Sequence, residues 1–253
     1  TAARLQVSRL ELSRGGREAA LQAAQAAAGE RPDDPMVRLV AARAQLANRN
    51  IAEAEALMKP LLAQFPNAAP VQAQSGMLYM LKGDNKSARL AFGRTLELDP
   101  NSFEAVSGLV AIDMAEKRPA DAKARVEKRL EAFPRDANAL MLGAMIFGGE
   151  KNFAKAEELL RRAIEADPSQ MRAYGMLAQV YLAQNRLDEA RAELEAIAKK
   201  HPADTGAATM AAMILTQQGR SADAQVAYEA IVARNPRAAV ASNNLAWMYA
   251  EPG

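Results

Sequence analysis

The sequence predicts an all-α protein built as a solenoid of repeated helical hairpins. Prolines recur every 34 residues, an alanine stands twelve residues before each of them, and apolar residues within a repeat follow helical spacing. The prolines are Pro32, Pro66, Pro100, Pro134, Pro168, Pro202 and Pro236, and the alanines are Ala20, Ala54, Ala88, Ala122, Ala156, Ala190 and Ala224. A period of this length is typical of a solenoid, in which each unit packs mainly on its neighbours.

Residues 137–168 show how one repeat is expected to fold. The apolar positions of its first helix are Leu140, Gly143, Ala144 and Phe147, and those of its second are Ala156, Leu159, Leu160, Ala163 and Ile164. The glycines and asparagine of the intervening GGEKNF can end a helix through a left-handed residue, as can Gly15, Gly83, Asn185 and Gly219 at the equivalent place elsewhere. The short turn predicts an antiparallel pair, and the closing proline stops the second helix.

The repeat fixes where the helices are expected along the chain. The first helix begins near Ala2, seven full repeats end at the seven prolines, and the residues from Arg237 onward form the first helix of an eighth repeat. Pro60 falls inside a second helix and is expected to kink it, whereas Pro35, Pro70 and Pro119 fall in first turns, where proline is tolerated. We expect one superhelical domain over residues 1–253, cut from a longer protein.

The recurring alanine predicts a close crossing of the two helices in each hairpin. Alanine opens the second helix of every repeat, at a place where a larger side chain would separate the helices. The same residue type is therefore expected to be buried at all seven positions.

Two further positions repeat within the first helices. A small residue occurs at Gly76, Ala144, Ala178, Ala212 and Ala246, and an aromatic residue three positions later at Tyr79, Phe147, Tyr181 and Tyr249. With the alanine and the proline, this pattern resembles the tetratricopeptide repeat (TPR) over essentially the whole chain. The resemblance implies a right-handed superhelix whose first helices line the concave face. Glu11, Gln45 and Asp113 replace the aromatic residue, so looser packing is expected in those three repeats.

Composition excludes several classes of function. The net charge of +2 is too small to predict nucleic acid or an anionic membrane as partner. The chain has no cysteine and one histidine, so it lacks the residues for thiol chemistry or a usual zinc site. No apolar stretch is long enough for a membrane span. We therefore expect no enzyme activity, no cofactor and no membrane insertion.

The TPR resemblance assigns the concave face to six positions in each first helix. Only five charged residues fall there, namely Arg9, Arg43, Glu104, Arg172 and Glu251. Nine of the twelve methionines fall there as well: Met36, Met77, Met80, Met114, Met141, Met145, Met176, Met210 and Met213. Small neighbours are expected to leave room for another chain, at Gly108, Ala111, Gly148, Gly149, Gly175 and Gly206.

Methionine is flexible and polarisable, so a surface rich in it adapts to differently shaped apolar ligands. The sequence therefore predicts a groove for an amphipathic helix or an extended apolar segment of a partner protein. The competing interpretation is that these methionines fill gaps between adjacent first helices. Trp247 is either an anchor for the partner or an edge that a further helix would cover. The eight arginines of the first fifty residues are a candidate site for an acidic partner segment.

The functional hypothesis is a non-enzymatic scaffold that binds a protein or peptide. The alanine-rich repeats, with NNLAW-like first helices and KPLL-like second helices, resemble those of bacterial envelope proteins, including exopolysaccharide export systems. That resemblance implies a periplasmic location, with the cytoplasm as the alternative. A second hypothesis makes the chain the substrate-selecting or regulatory arm of an enzyme, and a third makes it a guide for polysaccharide. Both ends are expected to expose apolar faces, which predicts end-to-end self-association of this chain.

Overall fold

The protein is described by a computed structural model that covers residues 1–202 and 205–250. Within those ranges it contains fifteen α-helices and no β-strand. The helices are α1 (Ala2–Arg14), α2 (Arg17–Glu30), α3 (Pro35–Ala47), α4 (Ile51–Gln64), α5 (Ala69–Leu81), α6 (Asn85–Leu98), α7 (Phe103–Ala115), α8 (Pro119–Ala132), α9 (Ala137–Gly149), α10 (Phe153–Ala166), α11 (Met171–Ala183), α12 (Leu187–Lys200), α13 (Gly206–Gln217), α14 (Ser221–Arg234) and α15 (Ala239–Ala250). The predicted all-α architecture of seven hairpins followed by one first helix is confirmed.

The helices divide into two compact units, residues 1–125 (unit 1) and residues 126–253 (unit 2), and the boundary falls within α8. In unit 1 the odd-numbered first helices contact one another in sequence, α1 with α3, α3 with α5, and α5 with α7. In unit 2 the same holds for α9 with α11 and α11 with α13. Each unit therefore has its own layer of first helices. The single domain over residues 1–253 stays a prediction.

The recurring prolines separate the hairpins as predicted. Each second helix ends two residues before its proline, since the proline ring disfavours helical angles in the residue that precedes it. Pro35 and Pro119 open their helices, and Pro70 is the second residue of α5, so all three lie in first turns. Helix α4 continues through Pro60 to Gln64. A kink at Pro60 stays a prediction.

Every hairpin turn contains one residue with left-handed backbone angles, seventeen positions before the proline. These residues are Gly15, Arg49, Gly83, Lys117, Lys151, Asn185 and Gly219. The three glycines and Asn185 were predicted from the sequence, but the prediction was wrong in the repeat 137–168, where the left-handed residue is Lys151 with φ of 62°. Gly148 and Gly149 lie inside α9 instead. The turn places left-handed backbone angles at this position of every repeat. Lys151 adopts them at a conformational cost of roughly 1–2 kcal/mol.

The recurring alanines lie at the helix crossings. All seven have no solvent-exposed surface, which confirms the predicted burial. At the α9–α10 crossing, a Cβ added to Gly148 would lie 3.9 Å from the Cβ of Ala156. A single methyl group at Gly148 would therefore reach van der Waals contact with Ala156 across the crossing.

We expect Ala156→Leu to lower the free energy of unfolding by about 1–3 kcal/mol, because three added carbons must displace α9 or adopt strained rotamers. Thermal and urea unfolding would measure the change. Ala154→Leu, at an exposed position of the same helix, is the matched control and should leave stability nearly unchanged. Equal melting temperatures for Ala156→Leu and the parent protein would contradict the close crossing.

Phe92 is the centre of the hydrophobic core between α5, α6 and α7. Its ring has no exposed surface and lies between Gly76 of α5 and Gly108 of α7. A Cβ built on Gly76 would lie 2.5 Å from the ring, and one built on Gly108 would lie closer still. The expectation that Gly108 leaves room for a partner is therefore wrong, because Phe92 occupies that room.

In unit 1 a polar residue replaces the aromatic residue at three positions, and at two of them, Gln45 and Asp113, the polar residue is buried. Asp113 has no exposed surface, and its carboxylate accepts hydrogen bonds from Arg89 Nη1 at 2.7 Å and Arg125 Nε at 2.6 Å. Gln45 is 8% exposed and accepts a hydrogen bond from Asn50 at 2.8 Å. At these positions, polar contacts hold helices that the aromatic residue holds in other repeats.

Candidate functional site

The candidate site is the surface formed by the first helices of each unit, here called the first-helix face. Its register is set by the position 23 residues before each proline, which is exposed or half-buried in every repeat. The residues at this position are Arg9, Arg43, Met77, Ala111, Met145, Gln179, Met213 and Trp247. Because α1, α3, α5 and α7 pack in succession in unit 1, and α9, α11 and α13 do so in unit 2, the residues at this position on those helices form a row in each unit.

The predicted methionines fall into three groups by exposure. Four are exposed, with Met145 at 50% and Met36 at 49%, and with Met114 and Met213 less so. Four are half-buried, namely Met77, Met80, Met176 and Met210. Met77 and Met80 pack against the core around Phe92, and Met176 and Met210 pack against the core of unit 2. The half-buried group therefore fills gaps between helices and also reaches the surface.

Met141 does not lie on the open surface. It is 4% exposed and belongs to the core of unit 2. It stands 27 residues before the proline, a position that is also buried at Ala73 and Thr209, because there the side chain points toward packed neighbours. Gly206 is buried too, so it leaves no room for a partner.

Two apolar clefts open on the first-helix face of unit 2. The first has a volume of about 240 Å³ and lies between α9, α10 and α11, with Met145, Gly148, Leu160 and Met176 among its lining residues. The second has a volume of about 420 Å³ and lies between α11 and α13. Its lining includes Gly175, Leu182, Met210 and Met213.

Gln179 lines both clefts, so its amide lies where the two adjoin. Each cleft is lined by a glycine, Gly148 in the first and Gly175 in the second, and the missing side chain makes the cleft wider. A Cβ added to Gly175 would lie 3.7 Å from the Cε of Met210, so any longer side chain there would reduce the second cleft. The clefts can therefore hold apolar side chains of an incoming segment, while Gln179 can hydrogen-bond its backbone.

Gln179 and Phe153 line the clefts but were not predicted from the sequence. Gln179 stands at the open position of α11 and could have been found from its register. Phe153 opens α10 and lines the first cleft from a second helix, so register within the first helices gave no sign of it.

The charged residues of the face differ in their partners. Arg9, Arg43 and Arg172 are exposed, and the described residues provide no ion pair for any of them. Glu104 is half-buried and accepts a hydrogen bond from Gln74 at 2.7 Å. Glu251 lies outside the described residues.

Trp247 lies at the open position of α15 and is 56% exposed. Its neighbour Tyr249 is also exposed and donates a hydrogen bond to Glu229 Oε1 at 2.7 Å. The last described helix therefore presents aromatic surface to solvent.

Residues 1–202 and 205–250 bring together no three histidine, cysteine, aspartate or glutamate side chains in a metal-binding arrangement. None of the helices in those ranges combines the length and the apolar character that crossing a bilayer requires. Burial and the carboxylates of Glu193 and Glu157 raise the pKa of Tyr181. That tyrosine is 1% exposed and lies outside both clefts.

Three solved structures of similar fold put this geometry in context. A thermophilic TPR protein of Thermus thermophilus is 18% identical with a TM-score of 0.64, over 72% of this chain and 98% of that one. A TPR protein of Parabacteroides merdae is 16% identical with a TM-score of 0.52, over 98% of each chain. A chain of the Cut9–Hcn1 hetero-tetramer of the APC/C is 13% identical with a TM-score of 0.61, over 96% of this chain and 48% of that one.

No curated protein sequence matches this chain significantly. A family model described as tetratricopeptide repeat matches residues 12–75, 79–146 and 149–214, and a second model with the same description matches residues 209–253. Proteins with this fold are generally non-enzymatic scaffolds that bind other proteins. With its 34-residue period, its buried alanines and these matches over most of its length, the chain belongs to the tetratricopeptide repeat family.

Proposed function

We propose that this chain is a non-enzymatic scaffold that binds an apolar segment of a partner protein on the first-helix face of unit 2. The observation that carries the proposal is the pair of adjoining clefts, which leave Met145 and Met213 exposed at an otherwise packed surface. Exposed methionine is costly in water and adapts to many apolar shapes, which suits a binding surface.

The spacing of the clefts limits how a partner can bind. They lie in successive gaps between first helices, and packed helix axes are about 8–10 Å apart. Three residues of polyproline II-like extended chain make one turn and span ~9 Å, and seven residues of helix span ~10.5 Å, so in both cases the two side chains lie on the same face. The partner is therefore expected to place apolar side chains three residues apart in a polyproline II-like extended segment or seven apart along a helix.

The test uses a fluorescein-labelled peptide with leucine at every third position and serine elsewhere, together with the same peptide lacking leucine. We expect the leucine peptide to bind and Met145→Glu combined with Met213→Glu to weaken it at least ~10-fold, because two buried charges would oppose apolar contact. Fluorescence anisotropy measures the affinity, and thermal unfolding should show little change because both methionines are exposed.

Val226→Glu is the matched control, since Val226 is 66% exposed and lies on second helix α14. It should bind the peptide as the parent protein does. Equal affinity in the double methionine variant would show that the clefts are not the binding site. Saturable binding of oligosaccharides without peptide binding would instead favour the polysaccharide-guide hypothesis, for which exposed Trp247 on the last described helix is the candidate aromatic platform.

The cellular compartment and the assembly in which the scaffold acts are part of the proposal as well. A bacterial envelope export or exopolysaccharide assembly in the periplasm is supported by the sequence resemblance alone, with the cytoplasm as the alternative. Fractionation of cells that express the full-length protein would decide the compartment. The flanking gene sequence would decide the competing hypothesis of a substrate-selecting arm of an enzyme.

End-to-end self-association stays part of the proposal. It is supported by apolar exposure on α1, where Val7 and Leu10 are 48% and 46% exposed, and on α15, where Val240 and Trp247 are exposed.

A further inference from the structure

Two arginines on the first-helix face of unit 1 have no counter-charge among the residues that the structure describes. Arg9 on α1 and Arg43 on α3 occupy the same register position on helices that contact each other. Both are exposed, and no carboxylate among the described residues pairs with either. Helices in contact lie about 8–10 Å apart, so the two guanidinium groups can reach one short segment of a partner.

Most arginines after the first fifty residues form ion pairs, whereas most of those before do not. After residue 50, ten of fourteen arginines form an ion pair with a described aspartate or glutamate. Among the eight arginines before residue 50, only Arg4 and Arg38 do so. Unpaired arginines are therefore more frequent in the first fifty residues than in the rest of the described chain, and Arg9 and Arg43 are the two of them that lie at the open position of the first-helix face.

The surroundings of the two arginines are apolar. The same face of α3 carries Met36, which is 49% exposed, and the half-buried Leu39. Arg9 Nη2 lies 3.0 Å from the Met36 sulfur, so one guanidinium already rests against the apolar surface. The six positions of α1 and the six of α3 that the TPR pattern assigns to the concave face include no acidic residue. The surface thus combines two positive charges with an exposed thioether and no internal neutralisation.

We propose that the α1–α3 part of the first-helix face binds an acidic, partly apolar peptide segment of a partner protein. The carboxylates of the segment pair with Arg9 and Arg43, and a neighbouring apolar side chain packs on Met36 and Leu39. Arginine suits this role because its planar group binds carboxylates through two hydrogen bonds and is weakly hydrated. This inference rests on the proposed function as a peptide scaffold and adds the charge of the partner.

A nucleic acid partner fits these residues less well. Phosphate-backbone binding uses many cations along a track, whereas this surface has two arginines on an apolar floor. The acidic segment uses both features of the surface, the charge and the exposed apolar side chains.

The experiment compares two labelled peptides in which leucine alternates with glutamate or with glutamine. We expect the glutamate peptide to bind unit 1 at least ~10-fold more tightly, and the difference to shrink when salt rises from about 0.1 M to 1 M, because the screening length falls from ~10 Å to ~3 Å. Arg9→Gln combined with Arg43→Gln should abolish the difference between the peptides. Thermal unfolding should remain unchanged because neither arginine forms an ion pair.

Arg135→Gln combined with Arg237→Gln is the matched control. Both residues are exposed and unpaired among the described residues, they lie in unit 2, and their replacement removes the same net charge. This control should keep the preference for glutamate.

Equal binding of the two peptides would overturn the inference and leave the scaffold proposal intact. Loss of glutamate preference in both double variants would also overturn it, since net charge alone would then explain the binding. If a thymidine oligonucleotide bound with the same dependence on Arg9 and Arg43 and displaced the peptide, the site would belong to nucleic acid instead.

Discussion

Replacing Phe92 with alanine is expected to lower the free energy of unfolding by about 3–5 kcal/mol, as for other fully buried phenylalanines. Phe92 has no exposed surface, and its ring fills the space between α5 and α7 that the missing side chains of Gly76 and Gly108 leave open. Because glycine has no side chain, neither Gly76 nor Gly108 can fill the space that the lost ring would leave. Urea unfolding followed by circular dichroism would measure the loss.

The glycines provide a second arm for the same experiment. Gly108→Ala alone should destabilise by about 1–3 kcal/mol, because its new Cβ would overlap the ring. In the Phe92→Ala background the same change should become neutral or stabilising, since the ring is gone and alanine favours helix by ~1 kcal/mol. The sign reversal is the diagnostic result.

Gly93→Ala is the matched control for the glycine change. Gly93 lies inside α6, and a Cβ added there meets no atom within 4 Å. It should stabilise the protein by about 0.5–1 kcal/mol in both backgrounds. If Gly108→Ala behaved like Gly93→Ala in the parent protein, the packing of Phe92 between the two glycines would be incorrect.

Asp113→Ala is expected to destabilise the protein by about 3 kcal/mol, the lower end of the range for breaking a buried ion pair. Asp113 has no exposed surface, while Arg89 and Arg125 remain partly solvated with side chains 27% and 34% exposed. Water can therefore compensate the arginines in part once the carboxylate is lost. Asp121→Asn, which breaks an exposed pair with Arg118, is the control and should cost less than ~1 kcal/mol.

Lowering the pH should remove the contribution of Asp113 to the free energy of unfolding. Burial raises the pKa of this carboxyl, but hydrogen bonds and charge from Arg125 and Arg89 more than offset the effect, so its pKa is lowered in the folded protein. A carboxyl with a lowered pKa stabilises the fold above its unfolded value, about 3.9, and loses that effect as the pH falls through the folded value.

The difference in unfolding free energy between the parent protein and Asp113→Asn should therefore be largest near neutral pH and shrink below about pH 4. Urea titrations over this range measure it, and the comparison with the variant cancels the contribution of other carboxyls. A difference that grows at low pH would contradict the assignment.

The helices themselves were predictable from the sequence. A left-handed residue, a buried alanine and a closing proline act through local backbone geometry and the contact of two helices close in sequence, so a 34-residue period reveals them. The open position of each first helix was predictable for the same reason, and it identified Arg9, Arg43, Met145 and Met213 as surface residues.

Residue type misled the prediction where contacts come from another hairpin. Gly108 was expected to leave room for a partner, but the ring of Phe92 from the preceding hairpin fills that room. The ion pairs of the buried Asp113 with Arg89 of α6 and Arg125 of α8 were also not predicted. Looser packing of that repeat stays untested.

The sequence by itself determined the period, the helices, the family and the register of the first-helix face. The tertiary structure decided which of the residues at that register are open, burying Met141 while leaving Met145 exposed one turn further along α9. It also decided where the clefts lie and which arginines are unpaired. The physical reason is that burial and ion pairing depend on side chains contributed by neighbouring hairpins, which a repeat pattern read along one chain does not specify.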